Sequence, residues 1–192
     1  MDSHDIIIMP MPHSASLERA RWLRESGWGI FHHYLVPDSL SAEDWNRKVD
    51  GFDVKGLADQ LTEIGAGHYC FTIGQTSGHY CAPNATYDRI AGVSPSKCSR
   101  RDLIADLAAE LRPRGIRLMV YSCSQAPLVE PEKSRFGWEW GFDGPAGAWS
   151  DSHGNPLPRT GKRLAEFQEK WEAVHREWSE RWGTEVDGWW ID

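Results

Sequence analysis

Four short stretches of this sequence each run from apolar residues into side chains that can do chemistry. GIFHHY delivers His32, His33 and Tyr34. CFTIGQTSGHY delivers Gly74 to Tyr80, including Gln75. LMVYSCSQ delivers Tyr121 to Gln125, and GWWID delivers Asp192. Together they hold a carboxylate, imidazoles, a phenol and amides, a hydrogen-bonding set suited to a polyhydroxylated ligand. Asp192 has two readings from its position alone: a catalytic carboxylate, or a cap for a following helix. His32 and His33 are adjacent, so on a strand they face opposite ways, and only one can join the set. Alternation alone leaves open which of the two it is. There is no HExxH and no CxxC pair, so no metal site and no cofactor are expected. Glu139 and Asp143, in a polar stretch, read as solvated carboxylates.

The elements that position these residues are set by periodicity. WGIFHHY (28–34), HYCFTI (68–73), IRLMVYS (116–122) and VDGWWI (186–191) are short apolar runs with strand character. Between them, DVKGLADQLTEIG (53–65) places Val54, Leu57, Ala58, Leu61 and Ile64 on one helical face. Asp53 is placed to cap its start and Gly65 to close its end. SRRDLIADLAAELRPRG (99–115) is a second helix, with Ser99 and Asp102 as a capping pair and a Leu103, Leu107, Leu111 stripe. A long helix over about 161–182 presents Leu164, Phe167, Trp171, Val174, Trp178 and Trp182. Strands alternating with helices imply parallel pairing through crossover helices. Near-continuous apolar strands fit a sheet covered by helices. An open doubly wound sheet and a (β/α)₈ barrel both satisfy this, and no GxGxxG or P-loop supports the nucleotide-binding version of the former. The stretch 123–160, rich in Gly, Pro and Asp, is a long loop at the end of the third strand, where barrel sites form.

Bulk properties narrow the partners. The chain has 192 residues, 40% apolar, with a net charge of -7. That charge disfavours nucleic acid and anionic membrane surfaces. No apolar run is long enough to span a bilayer. The opening MDSHDIIIMPMPHS makes a poor signal peptide, so a cytoplasmic location is the default expectation. The eleven tryptophans suit either core packing or stacking on sugar rings. Cys70 and Cys123 sit in apolar runs and read as packed thiols. A disulfide between Cys81 and Cys98 is an open but disfavoured alternative in a chain without a secretion signal. Oligomeric state is left open.

In order along the chain, several blocks resemble the N-terminal half of the catalytic barrel of the α-L-fucosidases, glycoside hydrolase family 29. GWGIFHHYL (27–35) is similar to the family's FGIFIHWG strand, EDWN (43–46) to its EWY, and FDVKGLADQLTEIGAGHY (52–69) to the next helix and strand. SPSKCSRRDLIADLAAELRPRGIRLMVYS (94–122) and EWSERWGTEVDGWWID (177–192) are similar to two later blocks. The resemblance covers about residues 17–192. It implies retaining hydrolysis of a terminal sugar, with Asp192 as nucleophile and His33, Trp45 and Tyr121 as sugar contacts. Where the family has a His-His pair after the second strand, this chain has Gln75 and Thr76. Gln75 is then the expected hydroxyl-binding residue, and the sugar need not be fucose.

The resemblance also implies that residues 1–192 are one partial barrel domain, cut at the nucleophile. A whole (β/α)₈ domain takes about 250 residues, and the second carboxylic acid of a retaining pair falls beyond the fourth strand. A half barrel leaves its first and fourth strands as open edges. Such a chain is expected to self-associate and to cleave no aryl glycoside alone. The alternative reading is a non-catalytic carbohydrate-binding or interaction protein derived from such a barrel.

Overall fold

The computed structural model describes residues 13–125, 127–138 and 164–192, the side chains of 13–16 excepted. Four strands, β1 (Gly29–His32), β2 (His68–Gly74), β3 (Arg117–Ser122) and β4 (Gly188–Ile191), form one parallel sheet in the order β1-β2-β3-β4. Each new strand lies beside the last, as crossover connections of one hand require. The helices are α1 (His13–Glu25), α2 (Ala42–Asp50), α3 (Val54–Glu63), α4 (Ala85–Ala91), α5 (Leu103–Leu111), α6 (Glu132–Phe136) and α7 (Ala165–Trp182). Four parallel strands in sequential order, joined through helices, make the N-terminal half of a (β/α)₈ barrel fold, as the family resemblance implies; the alternation alone also allows an open doubly wound sheet.

The two faces of the sheet differ. Tyr69, Phe71 and Ile73 of β2, with Leu118 and Val120 of β3, form one core with α2, α3, α5 and α7. The alternate residues Cys70, Met119 and Tyr121 turn to the other face, where they meet Cys123 in a small separate cluster. Period-two alternation thus sends one set under the helices and leaves the other for a site.

Local sequence explains the helices that pack on this core. Asp53 caps α3 by accepting the Gly56 N–H at 2.8 Å. Gly65 takes the left-handed conformation just past its end. Val54, Ala58 and Leu61 are buried as expected, but Ile64 is 50% exposed because the helix has already ended. For α5 the cap is Asp102 alone, accepting from Ala105 N–H at 2.9 Å. Ser99 instead donates its hydroxyl to the Arg101 carbonyl, so the expected pairing of Ser99 with Asp102 does not form. All six residues expected on the inner face of α7 are buried. The helices α4 and α6, of seven and five residues, are too short to show a clear periodic signal in the sequence.

All four cysteines are free and buried, so the Cys81–Cys98 alternative is not realised. The edge strands β1 and β4 and their flanks leave large apolar side chains in solvent: Trp28, Ile30, Phe31, Trp190 and Ile191. Among the described residues no helix is long and apolar enough to cross a membrane. The expectation for Glu139 and Asp143, and most of the 123–160 loop, lies outside the described residues.

Candidate functional site

The C-terminal ends of the strands build the site one side chain at a time. The register pairs Thr72 with Tyr121 and Tyr121 with Trp190, so Tyr121 sits centrally at the rim. Its strand end is held from behind by α7. Trp171 donates its indole N–H to the Cys123 carbonyl at 3.0 Å, and His175 Nε2 meets the Ser122 hydroxyl at 2.9 Å. Asp192 comes directly after β4. Its backbone N–H donates to the Ser122 carbonyl at 3.1 Å, and its own carbonyl accepts from Ser124 N–H at 2.5 Å. The carboxylate is therefore carried on a backbone clamped to β3 from both sides.

Gln75 comes from an irregularity. The β2–β3 register shifts between Thr72 and Gly74, and such a shift bends the strand and re-aims the residues beyond it. The chain then turns back on itself. Gly78 N–H donates to the Gln75 carbonyl at 3.2 Å, and Cys81 N–H returns to the Ile73 carbonyl at 2.8 Å. Gly74 must be glycine, since a Cβ there would sit 2.2 Å from the His79 carbonyl oxygen. Gly78 has φ +81° and lies against the Tyr87 hydroxyl and Glu132, so a side chain there would be strained and crowded.

The polar side chains meet in a row. The Tyr121 hydroxyl donates to Asp192 Oδ2 at 2.6 Å. Gln75 Nε2 lies 3.3 Å from the Tyr121 oxygen and 3.4 Å from His33 Nδ1. The first contact is a short, charge-assisted bond, whereas the other two are long. Burial first, and then the bond to Asp192, push the Tyr121 phenol well above its ordinary pKa. It therefore remains a proton donor to the carboxylate across the neutral and mildly alkaline range.

Beside this row stands an aromatic wall. Phe31 packs edge-on against His33 at 4.4 Å and Tyr121 at 5.1 Å, and its ring lies 5.4 Å from that of Trp190. Trp190 is 52% exposed. Polar groups along one side and open apolar rings along the other match a sugar ring, which has hydroxyl edges and C–H faces.

The structure thus brings together His33, Gln75, Tyr121 and Asp192. His32 goes the other way: its Nδ1 meets the Tyr69 hydroxyl at 2.6 Å, and its ring packs on Phe52 and Phe71 in the core. Burial, then the neighbouring His33, lowers its pKa. Trp45 is not brought to the row. It is 1% exposed, donates its indole N–H to the Tyr80 carbonyl at 3.0 Å, and packs against Tyr34 and His79. Its contribution here is to hold the loop after β2. Phe31 and Trp190 were not singled out by sequence reasoning; their only signal was their spacing of two from His33 and Asp192. Among the described residues no cluster of His, Cys, Asp and Glu could hold a metal ion.

No protein-family model matches the sequence, and a search of curated proteins finds no match. Solved structures do match. A bacterial fucosidase with a monovalent iminocyclitol inhibitor aligns with TM-score 0.55 and 15% identity, over 91% of this chain and 41% of that one. A GH29 α-L-fucosidase from Bacteroides thetaiotaomicron, trapped as a covalent intermediate with 2-fluoro-fucosyl fluoride, aligns with TM-score 0.52 and 14% identity, again over 91% and 41%. The chain spans about two fifths of the length of these fucosidases. At this identity the likeness is one of fold, and it is the fold of the family that the sequence blocks resemble.

Proposed function

We propose that this chain carries the sugar-binding and nucleophile half of a retaining glycoside hydrolase of the α-L-fucosidase type. The observation that carries the reading is the short bond from Tyr121 to Asp192 at the strand rim, in line with Gln75 and His33. In this reading Asp192 attacks the anomeric carbon. Tyr121 fixes which carboxylate oxygen faces the sugar, since the oxygen it bonds is occupied. Gln75 and His33 offer an amide and an imidazole to ring hydroxyls, and Phe31 and Trp190 pack against the C–H face.

The row holds one carboxylate, and retaining chemistry uses two, roughly 5–5.5 Å apart. The general acid of the proposed enzyme therefore comes from outside these four residues. The fold likeness to solved fucosidases and the ordered sequence blocks support the sugar class. Gln75 and Thr76, in place of a histidine pair, change the donors offered to the ring hydroxyls, so the proposed sugar class includes fucose and extends beyond it. A cytoplasmic location and a partial catalytic domain over 1–192 belong to the same proposal.

The test is covalent trapping. 2-Fluoro-fucosyl fluoride needs little protonation of its leaving group, so it reports the nucleophile without the acid. The protein should gain the mass of one 2-fluoro-fucosyl group, mapped by peptide sequencing to Asp192, and Asp192→Asn should gain none. Labelling at another residue, or equal labelling of Asp192→Asn, would remove Asp192 from the reaction.

A further inference from the structure

The end of β3 is held from two sides. In front, Asp192 hangs from it: the Ser122 carbonyl accepts the Asp192 N–H at 3.1 Å, and Tyr121, one residue back, bonds the carboxylate. Behind, α7 makes two contacts to the same stretch, from Trp171 to the Cys123 carbonyl and from His175 to the Ser122 hydroxyl. Of these contacts, only that of His175 rests on a side chain whose ordinary titration falls near neutral pH.

The geometry fixes the His175 tautomer. Its Nδ1 lies 2.9 Å from the Trp171 carbonyl oxygen, which can only accept, so Nδ1 carries the proton. In the neutral ring Nε2 is then bare, and the Ser122 hydroxyl, 2.9 Å away, donates to it. Ser122 is fully buried, and among the described residues its hydroxyl makes no other hydrogen bond. A proton added at Nε2 reverses this bond. The hydroxyl can then only accept from the ring, and its own hydrogen is left buried without an acceptor, which is costly.

Among the described residues the ring meets no counter-charge. It is enclosed by Trp171 and Trp178 of α7 and Trp189 of β4, at 4.8, 6.0 and 5.8 Å between ring centroids. Tyr121 and Cys123 turn to the opposite face of the sheet, where Tyr121 bonds Asp192. Glu172 and Arg176, beside it on α7, pair with each other in solvent. Burial accordingly lowers the pKa of His175, against the weaker opposing pull of the Trp171 carbonyl.

We propose that His175 is a positioning residue that makes the Asp192 site sensitive to pH: its neutral ring fastens the β3 end through Ser122, and its protonated ring releases it. The proposal rests on the reading of Asp192 as nucleophile and adds a control on it. The path is short, from His175 to Ser122 and from the Ser122 backbone to Asp192 and Tyr121.

The test follows two readouts on the full chain from about pH 7.5 down to 5, across the ordinary histidine range. The first is nuclear magnetic resonance of isotopically labelled protein. The His175 ring should show the Nδ1–H tautomer at neutral pH. The Asp192 amide resonance should move with the midpoint of that ring, and this movement should be absent in His175→Gln. The second is the rate at which 2-fluoro-fucosyl fluoride labels Asp192. It should fall roughly three- to tenfold as His175 takes up its proton, the loss expected for one hydrogen bond. His175→Phe, which removes the acceptor, should label slowly at every pH. His175→Gln restores an acceptor for Ser122 and does not titrate, so it should recover most of the neutral-pH rate and lose the fall. If His175→Gln keeps the fall, or the Asp192 amide ignores the His175 midpoint, the positioning role is overturned and the Asp192 reading stands. If the amide follows His175 but Asp192 is never labelled, the coupling is upheld and the nucleophile reading falls. Should either variant not fold, the native amide shifts decide.

Discussion

Replacing Tyr121 with Phe removes one oxygen from the centre of the row and nothing else. That oxygen makes three contacts: 2.6 Å to Asp192 Oδ2, 3.3 Å to Gln75 Nε2 and 3.8 Å to Cys123 Sγ. Only the first is short, and it involves an ionised partner, so it carries nearly all of the loss. A hydrogen bond to a charged group contributes roughly 1.5–3 kcal/mol. Two effects oppose each other in the reaction. Losing a donor leaves more negative charge on the carboxylate oxygen and so makes it intrinsically more nucleophilic. It also frees the carboxylate to rotate away from the sugar, and a misplacement of about 1 Å can cost on the order of 100-fold. Orientation wins, because Asp192 is exposed and water replaces the lost donor without restoring its direction. The expected result is a rate of labelling by 2-fluoro-fucosyl fluoride slowed about 10- to 100-fold. The ring contacts with Phe31 and His33 do not involve the oxygen, so thermal unfolding should shift by only a few degrees. Intact-mass spectrometry over time gives the rate. A Tyr121→Phe rate within twofold of the native one would show that the bond does not position the proposed nucleophile.

Packing and titration give three further expected outcomes. Trp178→Ala empties a fully buried site ringed by Tyr80 and Trp182 and removes one of two donors to the Pro83 carbonyl, which keeps Arg181, so denaturant melts should show a loss of about 3–5 kcal/mol; a loss under about 1 kcal/mol would contradict the α7 packing. Asp102→Ala removes the α5 cap and also the acceptor of the buried Trp182 indole N–H, so it should cost about 2–4 kcal/mol in the same assay, whereas Ser99→Ala should not weaken the α5 start, since Ser99 does not cap it. Burial lowers the pKa of His79 and His175, so the unfolded chain takes up protons near pH 6.5 before the folded one does; stability should fall as pH drops below 6.5, by about 1.4 kcal/mol per pH unit for each such histidine until its folded pKa is passed. Flat melting temperatures between about pH 7 and 5 would contradict that burial.

What the sequence disclosed, and what it hid, divides along physical lines. The α7 face was legible because six large apolar residues at helical spacing leave no other orientation. The rim was legible in two steps: strand alternation puts His33 and His32 on opposite faces, and the family resemblance chose His33. Trp45 was not legible: an indole on a short amphipathic helix fits a core or a ligand equally, and only the Tyr80 carbonyl and Tyr34 ring that enclose it decide. His79 was hidden for a related reason. The loop TIGQTSGHY contains turn residues that suggest exposure, yet Gly74 lets the chain fold back closely enough to bury the imidazole. The α5 cap was ambiguous because Ser99 and Asp102 are both competent, and the helix starts only where Asp102 can accept from Ala105. Phe31 and Trp190 carry no signal of their own in the sequence, and form a wall because the sheet face they occupy is open.

The most direct measurement is a crystal structure of the protein with an iminocyclitol whose ring nitrogen is protonated. The account predicts that nitrogen within hydrogen-bonding distance of the Asp192 carboxylate, ring hydroxyls on His33 and Gln75, and a C–H face against Trp190 or Phe31. An inhibitor seated elsewhere, or one at Asp192 with its hydroxyls turned away from His33 and Gln75, would contradict the claim that these residues form a sugar site.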